Sequence, residues 1–193
     1  VTGVQTCALP IFIADDGSRD GLDARLTKEA SLPPYTLITL PENSGAPVAR
    51  NRGFAASSGE YVIFLDADAL LESDMLEKLW QALQEHSEAS FAYSGFLFGG
   101  KRFACESFNS ERLKTVNYIH TSALIRRDEV IPFDPVLKKF QDWDVWIRMA
   151  RAGKRGVFVS EILFSLSTKE RAGRMSRWLP SFFYKIPWWM TGW

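Results

Sequence analysis

Two aspartates separated by one alanine, Asp66 and Asp68, directly follow a short apolar run over residues 61–65, YVIFL. The run is apolar on both faces and rich in β-formers, which is typical of a strand buried inside a parallel sheet. Ligands bind at the carboxyl ends of such strands, and carboxylates spaced i, i+2 can reach one hard cation, or a cation and a ribose. The structural alternative is that Asp66 ends the strand and Asp68 helps to start the next helix.

A second acidic pair, Asp15 and Asp16, follows the apolar residues 12–14 and precedes a Gly-Ser turn. This order predicts the end of a strand, then a loop, then a helix over residues 20–30. Carboxylates at the ends of neighbouring parallel strands lie at the same edge of a sheet. The sequence therefore predicts an acidic crevice at that edge.

A further aspartate, Asp142, lies at the start of a predicted helix that ends at Gly153. Apolar residues recur along this helix at the spacing of one face: Trp143, Trp146, Ile147 and Ala150. A carboxylate here can serve as a base, or it can be a plain N-cap that stabilises the helix by about 1 kcal/mol. The spacing alone leaves both interpretations open.

The elements that must position these residues alternate between strand and helix from residue 12 to 65. This alternation predicts right-handed βαβ units and a mostly parallel central sheet flanked by helices. Ser73 can cap the next helix. The core face of that helix is predicted to carry Leu76, Leu79, Trp80 and Leu83. Further strands are predicted over residues 91–98, 118–126 and 157–166.

The 193-residue chain has a formal net charge of zero and is 46% hydrophobic. This composition suits one globular domain and makes no case for a nucleic-acid partner. The charge is uneven, because residues 148–193 carry nine Lys and Arg against two Glu. In residues 169–193 the basic residues alternate with Trp and Phe, which is typical of contact with a membrane surface or of a helix packed on its own domain. No stretch reaches the roughly 18 consecutive apolar residues of a membrane span.

Residues 1–11, VTGVQTCALPI, resemble the translation of a sequencing-library adapter, so we exclude them from arguments about the fold. The domain is then expected over residues 12–168, incomplete at its amino terminus, with a tail over 169–193. Excluding Cys7 leaves Cys105 as the remaining thiol, which is compatible with a reducing compartment. We expect a cytoplasmic protein that is peripheral at the inner face of the membrane.

Four ordered motifs resemble those of the family 2 glycosyltransferases, inverting enzymes with a nucleotide-diphospho-sugar-binding fold of the GT-A type. The motifs are ADDGSRDG, ENSGAPVARNRGFAASSGEY, FLDAD and FDPVLKKFQDWDVWIRMARAGK, which lie between residues 12 and 166. The resemblance implies an α/β fold with a mostly parallel central sheet flanked by helices. It also implies that the first strand is missing, so we expect this chain to bind a donor poorly, to fold poorly and to lack full activity.

The resemblance implies roles for single residues. The donor-binding positions are Asp15, Asp16, Arg50 and Asp66, and the metal ligands are Asp68 and Asp66. Asp15 and Asp16 are expected near the nucleotide base, and Arg50 beside the base and the diphosphate. Asp142 matches the general base, although Gln141 stands where the family's usual glutamate precedes it.

The expected cofactor is Mg²⁺ or Mn²⁺, because a divalent cation stabilises the charge that develops on a leaving diphosphate. A single base opposite the leaving group implies direct displacement with inversion. The resemblance implies a nucleotide-sugar donor, most commonly a UDP-sugar, and a saccharide or lipid-linked acceptor. The expected role is the synthesis of cell-surface polysaccharide or glycolipid.

Two other classes of protein use parts of this pattern. Phosphatases of the haloacid dehalogenase type have an apolar strand ending in D-x-D, with the first aspartate as nucleophile, which would be Asp66. Those enzymes usually have Thr or Val where this chain has Leu70. A non-enzymatic receiver domain would use Asp15, Asp16 and Asp66 as a Mg²⁺ pocket, but it would leave the ARN and QDWD motifs without a role.

Overall fold

The computed structural model describes residues 10–29 and 32–167, so the predictions for Cys7 and for residues 169–193 lie outside the described residues. The strands are β1 Ile11–Asp15, β2 Tyr35–Thr39, β3 Tyr61–Ile63, β4 Ala69–Leu71, β5 Phe91–Phe98, β6 Lys101–Phe103, β7 Leu124–Arg126 and β8 Gly156–Leu166. The helices are α1 Leu22–Lys28, α2 Ala46–Ala56, α3 Met75–Glu85, α4 Ser110–Leu113 and α5 Gln141–Arg151, with a 3-10 turn at Arg127–Glu129. No helix within these ranges is long and apolar enough to cross a membrane.

The chain divides into two units. The first comprises Val1–Gly59 and Pro132–Lys138, and the second comprises Glu60–Ile131 and Lys139–Trp193. In the first unit β1 and β2 pair in parallel, and Pro47 occupies the first turn of α2. The parallel pairing matches the prediction, and the proline suits its position because at the start of a helix it has no N–H to leave unpaired.

The second unit holds a six-stranded sheet in the order β3-β7-β5-β8-β4, with β6 paired to β5. The α/β class is confirmed, but mostly parallel pairing is wrong for this sheet. Only β5 and β8 pair in parallel, whereas the β3-β7, β5-β7, β4-β8 and β5-β6 pairs are antiparallel. The β5-β6 hairpin shows one cause: Gly99 and Gly100 have positive φ and form a two-residue turn, which needs no crossover helix.

Helix α3 packs on the sheet of the second unit through Met75, Leu79 and Leu83, which are fully buried. The predicted core face was wrong at Trp80, whose exposed fraction is 47%. The capping prediction was also wrong, because Asp74 rather than Ser73 is the N-cap. The periodicity therefore located the helix but misplaced one edge of its apolar face.

Helix α5 packs through the face that its spacing predicts. Trp143, Trp146 and Ile147 are buried, and the Trp146 ring stacks on Phe91 of β5 with 4.7 Å between ring centroids. Aromatic rings and aliphatic side chains supply most of the burial energy in such cores. The apolar face thus fixes how the first turn of α5, which carries Asp142, is oriented in the second unit.

Candidate active site

The first acidic pair is built into a turn of the first unit. Asp15 ends β1, is 7% exposed, and accepts a hydrogen bond from the Ser18 N–H at 3.1 Å. The Asp16 carboxylate accepts from the N–H groups of Ser44, at 2.7 Å, and Gly45, at 2.9 Å. Asp16 therefore fastens the Gly-Ser turn to the loop that begins α2.

Gly17 makes this approach possible. Its φ is +71°, and a Cβ at this position would lie 2.6 Å from the carbonyl carbon of Glu42 and 2.9 Å from the nitrogen of Asn43. Only glycine allows both the left-handed conformation and such close contact between two backbone segments. The Asp16 side chain is consequently held within reach of the loop over residues 42–45.

The ARN and FDP motifs meet in the first unit. The Asn51 amide donates to the Phe133 carbonyl at 2.8 Å and accepts from the Phe133 N–H at 2.9 Å. The Arg50 guanidinium carbon lies 5.2 Å from the centroid of the Phe133 ring, within cation–π range. The family resemblance predicts a donor-binding role for Arg50. No sequence pattern indicated that Asn51 joins the two motifs.

Asp66 and Asp68 lie in the turn between β3 and β4 in the second unit. The Ala69 N–H donates to the Asp66 carbonyl at 3.0 Å, and the Ser167 N–H donates to the Asp68 carbonyl at 3.2 Å. The predicted strand over residues 61–65 ends at Ile63, and Asp68 leads into β4 rather than a helix. These backbone bonds order the turn without using either carboxylate.

His120 faces Asp66, with 3.9 Å between its Nε2 and the Asp66 Oδ2. The Nδ1 atom accepts from the Ser122 N–H at 3.2 Å, and this bond directs the proton of a neutral ring to Nε2. Phe96 and Phe164 lie against the ring, each with 5.1 Å between centroids. The imidazole N–H is thus oriented toward the first aspartate of D-x-D, a contact that no motif spacing predicted.

Asp142 lies in the first turn of α5, but it is not the cap. The N-cap is Phe140, in a left-handed conformation with φ 56° and no side-chain cap hydrogen bond. The Asp142 Oδ2 instead accepts from the Nδ2 of Asn117 at 3.1 Å. The plain N-cap interpretation is therefore wrong, and the carboxylate is held from outside its own helix.

One short segment contacts both acidic centres of the second unit. We refer to residues 117–122 as the bridging segment, which contacts Asp142 through Asn117 and Asp66 through His120. Three residues of extended chain span at most about 11 Å. The structure therefore brings the D-x-D turn and the start of α5 to one stretch of chain.

The single described thiol is not part of this chemistry. The Cys105 Sγ donates to the carbonyls of Ser94, at 3.2 Å, and Tyr118, at 2.9 Å. Burial raises the pKa of the Cys105 thiol to about 12. Because the thiolate is the nucleophilic form, Cys105 braces the bridging segment rather than attacking a substrate.

The donor chemistry of the D-x-D turn fits a hard divalent cation. Magnesium and manganese sites often use one or two carboxylates and leave the remaining positions to phosphate and water. Within residues 10–29 and 32–167, no group of three or more His, Cys, Asp or Glu side chains could hold a metal ion. Asp66 and Asp68 would therefore supply part of a coordination sphere that the substrate's phosphates complete.

The six predicted site residues fall in both units. The first unit holds Asp15, Asp16 and Arg50, and the second unit holds Asp66, Asp68 and Asp142. The bridging segment links Asp66 with Asp142. The role of each residue toward a donor or an acceptor stays a prediction.

Comparison with known proteins agrees with this fold. The model of Glycosyl transferase family 2 matches residues 6–130, more than half of the chain. TuaG of Bacillus subtilis, a glycosyltransferase assigned by name to teichuronic acid biosynthesis, is 27% identical over 179 residues, or 87% of this chain and 71% of that protein. The chain therefore belongs to glycosyl transferase family 2.

Solved structures show the fold. The S. aureus TarS structure in complex with UDP-GlcNAc has a TM-score of 0.69 at 19% identity, covering 86% of this chain and 50% of that one. The mannosyltransferase PcManGT from Pyrobaculum calidifontis, solved with GDP-Man and Mn²⁺, has a TM-score of 0.63 at 18% identity, covering 84% and 49%. The fold is of the GT-A type, and the chain spans about half the length of these structures.

Proposed function

We propose that this chain transfers a sugar from a nucleotide-diphospho-sugar to an acceptor hydroxyl, with inversion at the anomeric carbon. The observation that carries the proposal is the bridging segment, which contacts the D-x-D turn at one residue and the predicted base at another. Family membership supports the same reaction class. It also argues against the phosphatase and receiver alternatives, which leave Asp142 and its partner unexplained.

The donor's diphosphate would be held by a divalent cation at Asp66 and Asp68. A bound Mg²⁺ or Mn²⁺ neutralises the charge that develops on the leaving nucleoside diphosphate. The His120 Nε2–H, oriented by Ser122, faces the Asp66 carboxylate, with 3.9 Å between Nε2 and Oδ2. A donor beside a ligating carboxylate is a common feature of metal sites.

Asp142 is the proposed general base. Its carboxylate accepts the proton of the acceptor hydroxyl while the hydroxyl oxygen bonds to the anomeric carbon and the bond from that carbon to the phosphate oxygen breaks. Because one base serves one displacement, the product has the opposite anomeric configuration. The buried apolar face of α5 holds the helix in place, and the first turn of the helix therefore holds the Asp142 carboxylate in a fixed position.

The donor and the biological role follow from the relatives. TarS was solved with UDP-GlcNAc and PcManGT with GDP-Man and Mn²⁺, which supports a nucleotide-sugar donor and a divalent cation here. TuaG is named for teichuronic acid biosynthesis, which supports a role in cell-surface polysaccharide synthesis. The basic and aromatic composition of residues 169–193 supports a lipid-linked acceptor at a membrane surface.

Calorimetric titration of UDP into the full chain, with and without Mn²⁺, tests the donor site. We expect binding to depend on Mn²⁺, and Asp68→Asn to weaken it by roughly 10-fold or more, because a metal ligand is lost. Asp23→Asn is the matched control, since Asp23 is an exposed residue of α1. Equal affinities with and without metal, or equal effects of the two substitutions, would contradict the proposed site.

A further inference from the structure

The Asp142 carboxylate is held by a residue that belongs to none of the four motifs. Asn117 donates from Nδ2 to the Asp142 Oδ2 at 3.1 Å. We propose that Asn117 is a positioning residue for the Asp142 base. The inference rests on the proposed function, because it takes Asp142 as the group that accepts the proton.

The oxygen of the Asn117 amide supports the orientation in which Nδ2 faces Asp142. Its Oδ1 is buried and has no hydrogen-bond partner among the described residues. Leaving a buried acceptor unpaired is costly, and native structures show few such atoms. Rotating the amide would place Oδ1 against the carboxylate oxygen, so that two acceptors would face each other. The amide thus leaves its own oxygen unpaired while its nitrogen donates to Asp142.

A neutral donor suits a base. A Lys or Arg at position 117 would place a full positive charge beside the carboxylate and would favour its ionised form. An amide fixes one oxygen in place without adding a positive charge beside the group that must take up a proton. With Oδ2 held by Asn117, Oδ1 of Asp142 is the oxygen that would receive the proton.

The placement of Asn117 depends on two buried tryptophans of α5. The Trp143 Nε1–H donates to the Leu113 carbonyl at 2.6 Å, and the Trp146 Nε1–H donates to the Ile119 carbonyl at 3.0 Å. These bonds fasten the chain to α5 on either side of Asn117. Both tryptophans and Asp142 belong to α5. The two indole bonds therefore fix the position of the Asn117 amide relative to the Asp142 carboxylate.

The test follows the chemical shift of the Asp142 carboxyl carbon by ¹³C NMR of the full chain at one fixed pH, with the signal assigned by its loss in Asp142→Asn. In Asn117→Ala we expect this chemical shift to change, because the hydrogen bond that Nδ2 donates to Oδ2 is lost. Asn117→Asp, which keeps the shape of the side chain but removes the donor, should change it as well. Asn109→Ala is the matched control: Asn109 caps α4 and does not contact Asp142.

An unchanged chemical shift in both Asn117 variants, or an equal change in Asn109→Ala, would overturn the inference. Release of sugar from UDP-GlcNAc with Mn²⁺ separates this result from the proposed function. We expect Asn117→Ala to lower that rate by roughly 10-fold. Should Asp142→Asn leave the rate unchanged, the base assignment fails even where the chemical shift confirms the hydrogen bond. A lost rate in Asp142→Asn with a full rate in Asn117→Ala contradicts only the positioning role.

Discussion

Each acidic residue of the candidate site has a different set of partners. Asp16 accepts from two backbone N–H groups of one loop, Asp66 faces an imidazole, and Asp142 accepts from a neutral amide. These environments match different tasks: Asp16 fixes a loop, and in the proposed reaction Asp66 is a supported metal ligand and Asp142 a base held in place. The three aspartates therefore differ in the groups that face their carboxylates: backbone N–H groups, an imidazole and a side-chain amide.

Gly17 is the residue on which the Asp16 contact depends, so we expect Gly17→Ala to destabilise the chain strongly. A side chain at its positive φ costs about 1–2 kcal/mol, and the clash with the backbone of Glu42 adds about 1–3 kcal/mol. Gly21→Ala is the control, because Gly21 also has positive φ but a Cβ added there would meet no other atom within 4 Å. Urea unfolding compares the two, and equal losses of unfolding free energy would contradict the close contact.

At the residue scale the sequence predicted acids but not their partners. Asp66, Asp68 and Asp142 were found because strand ends and helix starts are local features. Asn117 is 25 positions from Asp142 in the chain, and Asn51 is 82 from Phe133. Neither periodicity nor a local motif encodes contacts over such separations, so these asparagines could only be seen in the fold.

Helix α3 tests which apolar residues form the core at the scale of an element. Leu79 is fully buried, so Leu79→Ala should lower the free energy of unfolding by about 2–5 kcal/mol through lost burial and a cavity. Trp80 is 47% exposed, and Trp80→Ala should cost about 1 kcal/mol. Thermal or urea unfolding measures both, and a larger loss for Trp80→Ala would restore the face predicted from the sequence.

The bridging segment shows why one predicted strand is shorter than expected. Residues 118–126 have strand-like composition, but only Leu124–Arg126 pair as β7. Upstream, the Ile119 carbonyl accepts the indole N–H of Trp146, and the His120 ring is bound to Ser122. Hydrogen bonds to side chains take the place of part of the backbone pairing between strands. Local β-propensity cannot predict this, because it depends on residues that are distant in the sequence.

At the scale of the whole molecule, the fold class was accessible from the sequence and the pairing of strands was not. Alternating strand and helix signals predicted an α/β protein, and the family and the solved structures confirm it. The mixed sheet of the second unit arises from hairpins and long-range pairs such as β3 with β7. The predicted donor contacts lie in the first unit, and the predicted metal ligands and base lie in the second.

The most direct test of the account is the rate at which the full chain releases sugar from UDP-GlcNAc with Mn²⁺, compared between Asp142→Asn and Asp144→Asn. Both substitutions remove one carboxylate from the first turn of α5, but Asp144 is paired with Arg148 at 2.7 Å. We predict that Asp142→Asn lowers the rate roughly 10²–10⁴-fold, the contribution of a general base, while Asp144→Asn retains it. Equal rates in the two variants would contradict the assignment of Asp142 as the base.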